Sequence, residues 1–391
     1  MIKGSIREIS GPIVKLRRQL HSIPEIAFKE KKTSSLISKH LLESGVEVIG
    51  GIGKTGVVGI IEGSNSGKTL MIRADIDALP LEEKTELPFS STNGNMHACG
   101  HDGHTAIALM TARAISKLKD TFNGKVVFVF QPAEEIVAGA KEMINEGLLE
   151  TYQPDRVIGL HIWNEIPVGT IAVNDGSVFA SADGFRIKFI GKGGHGALPD
   201  RTIDPIVMAA EFISVVQSIV SREISPNEMG VLTVGQIHGG TAPNIIPDIV
   251  LLEGTIRAYS TKVRKQIISS VGRIATGISQ TMKGDSRFEI LYGTPPVVND
   301  SKVAKWMSGI ATSVVGKKKV TEWDPVSVGD DVSEFINRIP GAYILLGGGF
   351  TEDSLLHASS SGHHNNRFDF DEKCLPIGVE LFLRATFDFL S

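Results

Sequence analysis

The alternation of strand-like and helix-like segments is the feature that most restricts the fold of this 391-residue chain. Up to about residue 180, short apolar runs typical of buried strands alternate with amphipathic segments at helical spacing. This alternation is typical of an α/β layer built on a mostly parallel sheet, and it resumes after residue 296. We therefore predict that residues 1–182 and 296–391 form one α/β domain.

The segment between these two parts has a different pattern. Strand, helix, strand, strand, helix and strand follow one another between residues 183 and 295, which is the split-βαβ order of a ferredoxin-like α+β domain. The chain is long enough for two domains. The simplest interpretation is one α/β domain interrupted by an inserted α+β domain.

Composition excludes several classes of protein. Hydrophobic residues make up 41% of the chain, which is enough for sizeable cores. The net charge of −4 offers no basic surface for nucleic acid or for an anionic membrane. Two cysteines do not support a disulfide framework and favour a reducing compartment. Because we find neither a secretory signal nor an 18-residue apolar run, we expect a cytoplasmic protein without nucleic-acid or membrane partners.

The stretch from Asn95 to His104 concentrates unusual chemistry. It holds one of the two cysteines and three of the eleven histidines, and Cys99 and His101 stand two residues apart. Thiolate sulfur and imidazole nitrogen are preferred ligands of divalent transition metals. The intervening Gly100 allows a tight loop that points both side chains at one ion. The alternative is a polar loop in which Cys99 is a small buried hydrophobe.

Acidic or histidine side chains directly follow three predicted strands: Asp75 and Asp77, Glu134 and Glu135, and His161. Ligands of open α/β sheets bind outside the carboxyl ends of the strands, so we expect these side chains to share one edge with the Cys99 loop. Taken singly, each residue has a structural alternative: a cap, an exposed turn or a core histidine. The adjacent pair Glu134-Glu135 suits a division of labour, in which one carboxylate binds metal and the other accepts a proton.

Four segments together resemble the M20 metallopeptidase family: Asp75-Ile-Asp-Ala-Leu-Pro80, His97-Ala-Cys-Gly-His-Asp-Gly-His104, Gln131-Pro-Ala-Glu-Glu135 and Gly239-Gly-Thr-Ala-Pro-Asn244. The best fit is the amidohydrolase branch that cleaves N-acyl amino acids, which includes hippurate hydrolases, N-acetyl-diaminopimelate deacetylases and auxin-conjugate hydrolases. The match extends from Arg17 to His364. The resemblance implies the α/β fold of a dinuclear-metal exopeptidase with an inserted domain.

The resemblance also implies a set of site residues. Two divalent ions would be bound by five side chains, namely Cys99 as the bridge, His101, Glu135, His161 and His364. Glu134 would be the general base that later protonates the leaving amine, Asp75 would be a further active-site residue, and Asp77 would orient the site from outside the ligand shell. Mn²⁺, Zn²⁺, Co²⁺ and Ni²⁺ all suit such ligands. The segment His363–Phe368 lacks the proline usual in this family, so His363 remains an alternative to His364.

In the inserted domain, the resemblance implies a lid over the substrate that also carries the contact of a homodimer. His195 would steady the scissile carbonyl, often across the dimer. Asn244 and Arg257 are candidate grips on the substrate carboxylate, and Arg257 would act as a bidentate fork. A turn residue and an exposed strand cation are the structural alternatives for these two.

These inferences predict a metal-dependent amidohydrolase that cleaves the amide bond of small N-acyl amino acids. A dipeptidase or carboxypeptidase with the same dinuclear site is the alternative among enzymes. A non-catalytic metal-binding protein is the alternative from another class. Glu134 argues against it, because a scaffold needs no additional carboxylate beside its metal.

Overall fold

The computed structural model describes residues 2–351 and 361–391 and contains ten α-helices and sixteen strands within them. The helices are α1 (Ile2–His21), α2 (Lys31–Glu43), α3 (His101–Ser116), α4 (Gly139–Asn145), α5 (Leu148–Tyr152), α6 (Pro205–Ser218), α7 (Thr261–Thr281), α8 (Ser301–Val315), α9 (Ser333–Ile336) and α10 (Cys374–Leu390). The strands are β1 (Glu47–Ile52), β2 (Gly56–Glu62), β3 (Thr69–Asp75), β4 (Lys125–Gln131), β5 (Arg156–Pro167), β6 (Ile171–Ala172), β7 (Ser177–Phe179), β8 (Ala182–Ile190), β9 (Gly194–His195), β10 (Gly230–Gly239), β11 (Ile245–Ile246), β12 (Ile249–Ala258), β13 (Asp285–Thr294), β14 (Val297–Val298), β15 (Val320–Thr321) and β16 (Gly341–Gly349).

The chain divides into two compact units. The first unit comprises Met1–Gly176, Val298–Asp324 and Asp331–Ser391, and the second comprises Ser177–Val297 and Pro325–Asp330. The short segment Pro325–Asp330 belongs to the second unit although it lies far along the chain from the rest of that unit. The sequence analysis does not predict that the chain re-enters the second unit at this segment.

The first unit is built on an eight-stranded sheet in the order β1-β2-β4-β3-β5-β16-β6-β15. The four central strands, β4, β3, β5 and β16, run parallel to one another, whereas β1 and β2 are antiparallel additions at one edge. Apolar side chains of these strands, such as Ile72, Phe128 and Ile344, are fully buried. The predicted α/β class with a mostly parallel sheet is confirmed.

Helix α3 begins earlier than the sequence analysis predicts. The expected start is His104, but the helix starts at His101, directly after Gly100 in a left-handed conformation (φ 85°). Because residues three apart lie on one helical face, His101 and His104 project from the same first turn. At the N-terminus of the chain, α1 continues through Pro12.

The second unit has a four-stranded antiparallel sheet in the order β10-β12-β8-β13. Helices α6 and α7 pack on one face of this sheet around a core that includes Phe185, Phe189 and Phe212. Both helices begin at a capping side chain that accepts a backbone hydrogen bond, Asp204 for α6 and Ser260 for α7. The elements follow the predicted split-βαβ order.

The helical segment Pro205–Glu223 is, by length and composition, apolar enough to cross a membrane, which the sequence analysis did not predict. The mean hydropathy of this segment is high although polar residues such as Gln217 interrupt it. A single segment of this kind is weak evidence for a membrane span, because core helices meet the same test. Here Met208, Phe212 and Val216 are buried in the core of the second unit.

Candidate metal centre

The carboxyl ends of the central strands bring the predicted site residues of the first unit together. Asp75 ends β3 directly opposite Gln131, which ends β4, and the Glu134-Glu135 pair follows within four residues. His161 lies on β5, the other neighbour of β3. Asp75, Glu134 and His161 are all buried. Asp75 and the glutamate pair share the predicted edge, but His161 does not follow its strand as predicted, because β5 continues to Pro167 and His161 lies within it, beyond the last residue that pairs with β3.

Three overlapping groups of side chains could each hold a metal ion, since their ligand atoms lie within 4.8 Å of one another. Their members are Cys99, His101 and His161 in the first, Cys99, Glu135 and His364 in the second, and His101, Glu134 and Glu135 in the third. Cys99 belongs to both of the first two groups. All five residues predicted as ligands therefore meet around one thiol.

Backbone carbonyls orient two of the histidines. His101 donates from Nδ1 to the carbonyl oxygen of Asp77 at 3.0 Å, and His161 donates from Nδ1 to that of Ile162 at 2.8 Å. A donor bond at Nδ1 leaves the lone pair at Nε2, which is the arrangement that a metal-binding histidine needs. The Nε2 of His161 lies 3.5 Å from the Cys99 sulfur.

The unsatisfied atoms and charges of the site fit a divalent cation. Among the described residues, His101 Nε2 and Glu135 Oε1 are buried without a hydrogen-bond partner, a condition that proteins avoid unless a ligand is bound. Burial lowers the pKa of His101, but the nearby Asp75 and Asp77 raise it well above its ordinary value. Hydrogen bonds to Cys99 and Glu135 raise the pKa of His364 to about 10. Both shifts indicate an excess of negative charge, which a bound cation would balance.

The turn that carries the two glutamates is held by Asp77. One carboxylate oxygen of Asp77 accepts a hydrogen bond from the Glu134 amide at 3.0 Å, and the other accepts one from the Glu135 amide at 3.1 Å. The turn is tight, because Ala133 has a φ of 52° and a Cβ on Gly139 would lie 1.6 Å from the Pro132 oxygen. The sequence analysis predicts that Asp77 orients the site from outside the ligand shell. Its hydrogen bonds to the two backbone amides orient the turn in this way.

The two glutamates share one neighbour and differ in another. Glu134 Oε2 lies 3.8 Å and Glu135 Oε1 lies 3.9 Å from His101 Nε2, and Glu135 Oε2 also lies 3.2 Å from His364 Nε2. The Glu134 residue is only 6% exposed. The geometry therefore allows the Glu135 carboxylate to act as a ligand while the Glu134 carboxylate lies beside the same ligand atoms.

His363 and His364, the two candidates for the C-terminal ligand, have different surroundings. His363 donates from Nε2 to the Ile162 carbonyl oxygen at 3.0 Å and stacks on Trp163 with the ring centroids 4.4 Å apart. Burial lowers the pKa of His363 to about 4, so this ring is neutral. His364, with a φ of 61°, is the residue that reaches Glu135.

Two residues that the sequence analysis missed hold Asp75. Arg73 donates from Nη1 to Asp75 Oδ2 at 2.7 Å, and its Nη2 lies 3.3 Å from Asp331, although all three side chains are buried. His104 contacts the other Asp75 oxygen at 2.6 Å. Two spacings in the sequence indicate these contacts. Arg73 and Asp75 are two residues apart on a strand, and His101 and His104 are three residues apart on a helix, so each pair lies on one face.

Arg73→Leu is expected to destabilise the protein by about 3–5 kcal/mol, because it leaves buried carboxylates without their cation. The measurement is the free energy of unfolding in urea. Lys117→Met is the control, since Lys117 pairs with Glu8 on the surface and such changes stay within about 0.5 kcal/mol. Equal losses in both variants would contradict the assigned role of Arg73.

A second buried charge network lies beside the N-terminus of α3. His21 contacts Asp102 through Nδ1 at 2.8 Å and Glu83 through Nε2 at 3.1 Å, while Arg17 Nε donates to Asp102 at 2.7 Å. Burial lowers the pKa of His21, but Asp102 raises it above its ordinary value. Burial raises the pKa of Glu83, but the hydrogen bond from His21 lowers it to about 2. The network ties α1 to the helix that starts at His101.

The stability that this network adds should depend on pH in a defined window. The contribution of His21 is complete below pH 6.5 and is lost as the pH rises through its higher folded pKa. The contribution of Glu83 is complete above pH 4.5 and is lost as the pH falls towards 2. The difference in unfolding free energy between the wild type and His21→Gln should therefore be largest between these pH values. A difference that does not vary with pH would contradict the charged pair.

In the second unit, His195 and Asn244 lie together, whereas Arg257 lies apart from them. The β9–β11 ladder pairs His195 with Ile245, so Asn244 is adjacent to the histidine, and both are exposed. This ladder lies where β12 begins, because Gly193 donates to Asp248 at 2.7 Å. Arg257, which is half-buried, is eight residues further along β12 than Ile249, or about 26 Å at the usual rise of a strand.

Comparison with known proteins identifies the family of this chain. Residues 71–388 match the family model described as "Peptidase family M20/M25/M40". The chain is 38% identical to thermostable carboxypeptidase 1 of Saccharolobus solfataricus, covering 97% of this chain and 95% of that protein. It is 39% identical to N-acetyl-L-cysteine deacetylase of Bacillus subtilis, covering 88% of this chain and 82% of that protein.

A solved structure shows the same fold. The crystal structure of a Bacillus subtilis protein, described as a dinuclear metal-binding peptidase of the M20 family, matches with a TM-score of 0.84 and 32% identity. The match covers 98% of this chain and 99% of that one. With the family match over most of its length and relatives this similar across nearly all of it, the chain belongs to the M20/M25/M40 peptidase family.

Proposed function

We propose that this protein is a metal-dependent amidohydrolase that removes the acyl group from small N-acyl amino acids. The observation that carries the proposal is the buried Glu134 carboxylate, which lies against two groups of potential ligands that share Cys99. The similarity to a deacetylase of an N-acetyl amino acid supports this substrate class. The ligands would be Cys99 as the bridge, His101, Glu135, His161 and His364.

The mechanism follows from the side chains around Glu134. When bound, two divalent ions lower the pKa of water and polarise the scissile carbonyl. Glu134 accepts a proton from the water while the oxygen of that water attacks the carbonyl carbon. Glu134 then delivers the proton to the amine nitrogen as the C–N bond breaks. Asp77 fixes the backbone of Glu134 and Glu135 during both transfers. Asp75 accepts hydrogen bonds from Arg73 at 2.7 Å and from His104 at 2.6 Å, and both favour its ionised form.

His195 suits the task of stabilising the developing negative charge on the carbonyl oxygen. The Ala197 amide donates to His195 Nδ1 at 3.0 Å, so the proton of the neutral ring is on Nε2, from which it can be donated to an oxygen. We propose that His195 acts in the active site of a second copy of the chain. Because Asn244 is adjacent to His195, it would enter the same active site as His195. Arg257, which lies apart from both residues, would bind the substrate carboxylate in a different active site.

The proposed homodimer contact lies on the second unit. Strand β10 is an edge strand of the four-stranded sheet, with Val231 and Ile237 exposed. Helix α6 exposes Ile206 and Val207. An exposed sheet edge and an apolar helix face together favour association, and a second copy of the chain is the partner that both would fit by two-fold symmetry.

A carboxypeptidase or dipeptidase remains the second candidate, and the similarity to a carboxypeptidase favours it. Both reactions cleave an amide next to an amino acid that has a free carboxylate. They differ in whether the group on the nitrogen is a simple acyl group or a peptide.

A substrate panel tests the proposal. Metal is first removed from the protein with a chelator, and Zn²⁺, Mn²⁺, Co²⁺ or Ni²⁺ is then added. Each form is assayed with N-acetyl and N-benzoyl amino acids, with dipeptides, and with N-blocked peptides that have a free carboxyl terminus. We expect N-acyl amino acids to have a kcat/KM at least tenfold above that of the peptides. Matched N-acyl amino acid amides, which lack the carboxylate, should be poor substrates. Hydrolysis of the peptides alone would overturn the proposal in favour of the second candidate.

We also propose that the protein works in the cytoplasm. Both cysteines are free and buried, and a bridging Cys99 must stay reduced to act as a ligand. Thiolate, imidazole and carboxylate ligands suit all four ions tested above.

A further inference from the structure

We propose that His104 is a positioning residue, which holds Asp75 and the end of β5 in a fixed relation and does not bind metal. This inference rests on the proposed function, because it assigns His104 a role in the same site. It explains why His104 lies in the same helical turn as His101 but outside the ligand set.

The hydrogen bonds of His104 define its tautomer. The backbone N–H of Ile162 donates to Nε2 of His104 at 2.8 Å, so Nε2 must carry the lone pair. The proton is therefore on Nδ1, from which it is donated to Asp75 Oδ1 at 2.6 Å. Both ring nitrogens are used, and both partners are buried parts of the protein.

These bonds exclude a competing interpretation. The ligand atoms of Asp75, His101 and His104 lie within 4.8 Å of one another and could be taken for a further metal group. To bind a metal, His104 would have to give up either the backbone of Ile162 or the carboxylate of Asp75. Loss of either bond would leave a buried polar group unsatisfied.

The position of His104 lets it act on two ligands at once. The Asp75 carboxylate, which His104 holds on one side and Arg73 on the other, lies 3.8 Å from His101 Nε2. The ring of His104 also packs edge-on against that of His161, with the centroids 4.6 Å apart. The backbone N–H of Ile162 donates to His104, and the carbonyl oxygen of the same residue accepts the hydrogen bond that orients His161.

Two substitutions separate the functions of the ring. The amide of asparagine can replace Nδ1, so His104→Asn retains the donor to Asp75 and loses the acceptor for Ile162. The amide of glutamine can replace Nε2, so His104→Gln retains the acceptor for Ile162 and loses the donor to Asp75. Each holoenzyme is examined for metal content per chain, for the visible spectrum of its Co²⁺ form, and for kcat and KM separately.

We expect His104→Gln to keep full metal content and an unchanged Co²⁺ spectrum, with kcat reduced about 10–100-fold and KM unchanged. We expect His104→Asn to bind metal about 10–100-fold more weakly, because the end of β5 is released. Loss of metal from His104→Gln with a changed Co²⁺ spectrum would show that His104 is a ligand and would overturn the proposal. Wild-type behaviour of both variants would also overturn it.

A double-mutant cycle with Asp75→Asn tests whether His104 acts through Asp75. If it does, the double variant His104→Gln/Asp75→Asn should have a kcat no lower than that of Asp75→Asn alone, whereas independent effects would multiply. Circular dichroism establishes that each variant is folded. If His104→Gln is not, the metal affinity of His104→Asn carries the test, and an affinity equal to that of the wild type would overturn the proposal. Multiplying effects would overturn the proposal. The metal content and the Co²⁺ spectrum need no substrate, so they remain decisive even if the proposed reaction is wrong.

Discussion

Replacing Glu134 with glutamine is expected to lower kcat by about 10²–10⁴-fold without loss of metal, since this is the usual effect of removing a general base. Glutamine has nearly the size of glutamate but cannot accept the proton of the attacking water. The 6% exposure of Glu134 and its 3.8 Å distance from His101 Nε2 place the carboxylate beside the ligand atoms. The measurements are kcat with an N-acyl amino acid and metal content after dialysis.

The matched control is Glu135→Gln, one residue further along the same turn. Glu135 Oε2 lies 3.2 Å from His364 Nε2, and Glu135 Oε1 is buried without a hydrogen-bond partner among the described residues. We therefore expect this variant to lose metal along with activity. If Glu134→Gln were the variant that lost metal, the division of roles within the pair would be reversed.

Mixing two inactive variants, His195→Ala and Glu134→Gln, is expected to restore about a quarter of the wild-type activity after subunit exchange. Half of the dimers in an equal mixture are hybrids, and one of the two sites in each hybrid combines an intact Glu134 with an intact His195. Removing a group that stabilises the oxyanion costs about 10²–10³-fold in kcat, so each variant alone gives a low background.

Two measurements complete this experiment. Native mass spectrometry establishes that hybrid dimers have formed, and a mixture of Asn244→Ala with Glu134→Gln tests whether Asn244 accompanies His195. Hybrids that remain inactive would show that His195 acts in its own subunit or has no part in the reaction. Recovery with His195→Ala but not with Asn244→Ala would separate the two residues, although they are neighbours on the β9–β11 ladder.

Several features of the fold follow from local pattern. Helices α7 and α8 begin at Thr261 and Ser301, because a serine or aspartate cap precedes each of them. The central parallel strands are continuous apolar runs, which is what burial on both faces requires. Helix α3 begins three residues before the predicted start, because its first turn is held by buried contacts with distant residues, such as that of Asp102 with Arg17, which local pattern does not show.

The sequence by itself determined the types of ligand atom, the strand ends that carry them and the family, because these depend on residue identity and on short-range periodicity. Tertiary structure alone decided three further features. These are the packing of His363 against Trp163 while His364 reaches Glu135, the tautomers of His101, His104 and His161, and the distance between Arg257 and His195 within the second unit. All of them except the tautomer of His161, whose ring donates to the carbonyl oxygen of the next residue, depend on contacts between residues far apart in the chain. The direction of a ring proton or the partner of a buried charge is set by whichever backbone group folding brings within hydrogen-bonding distance.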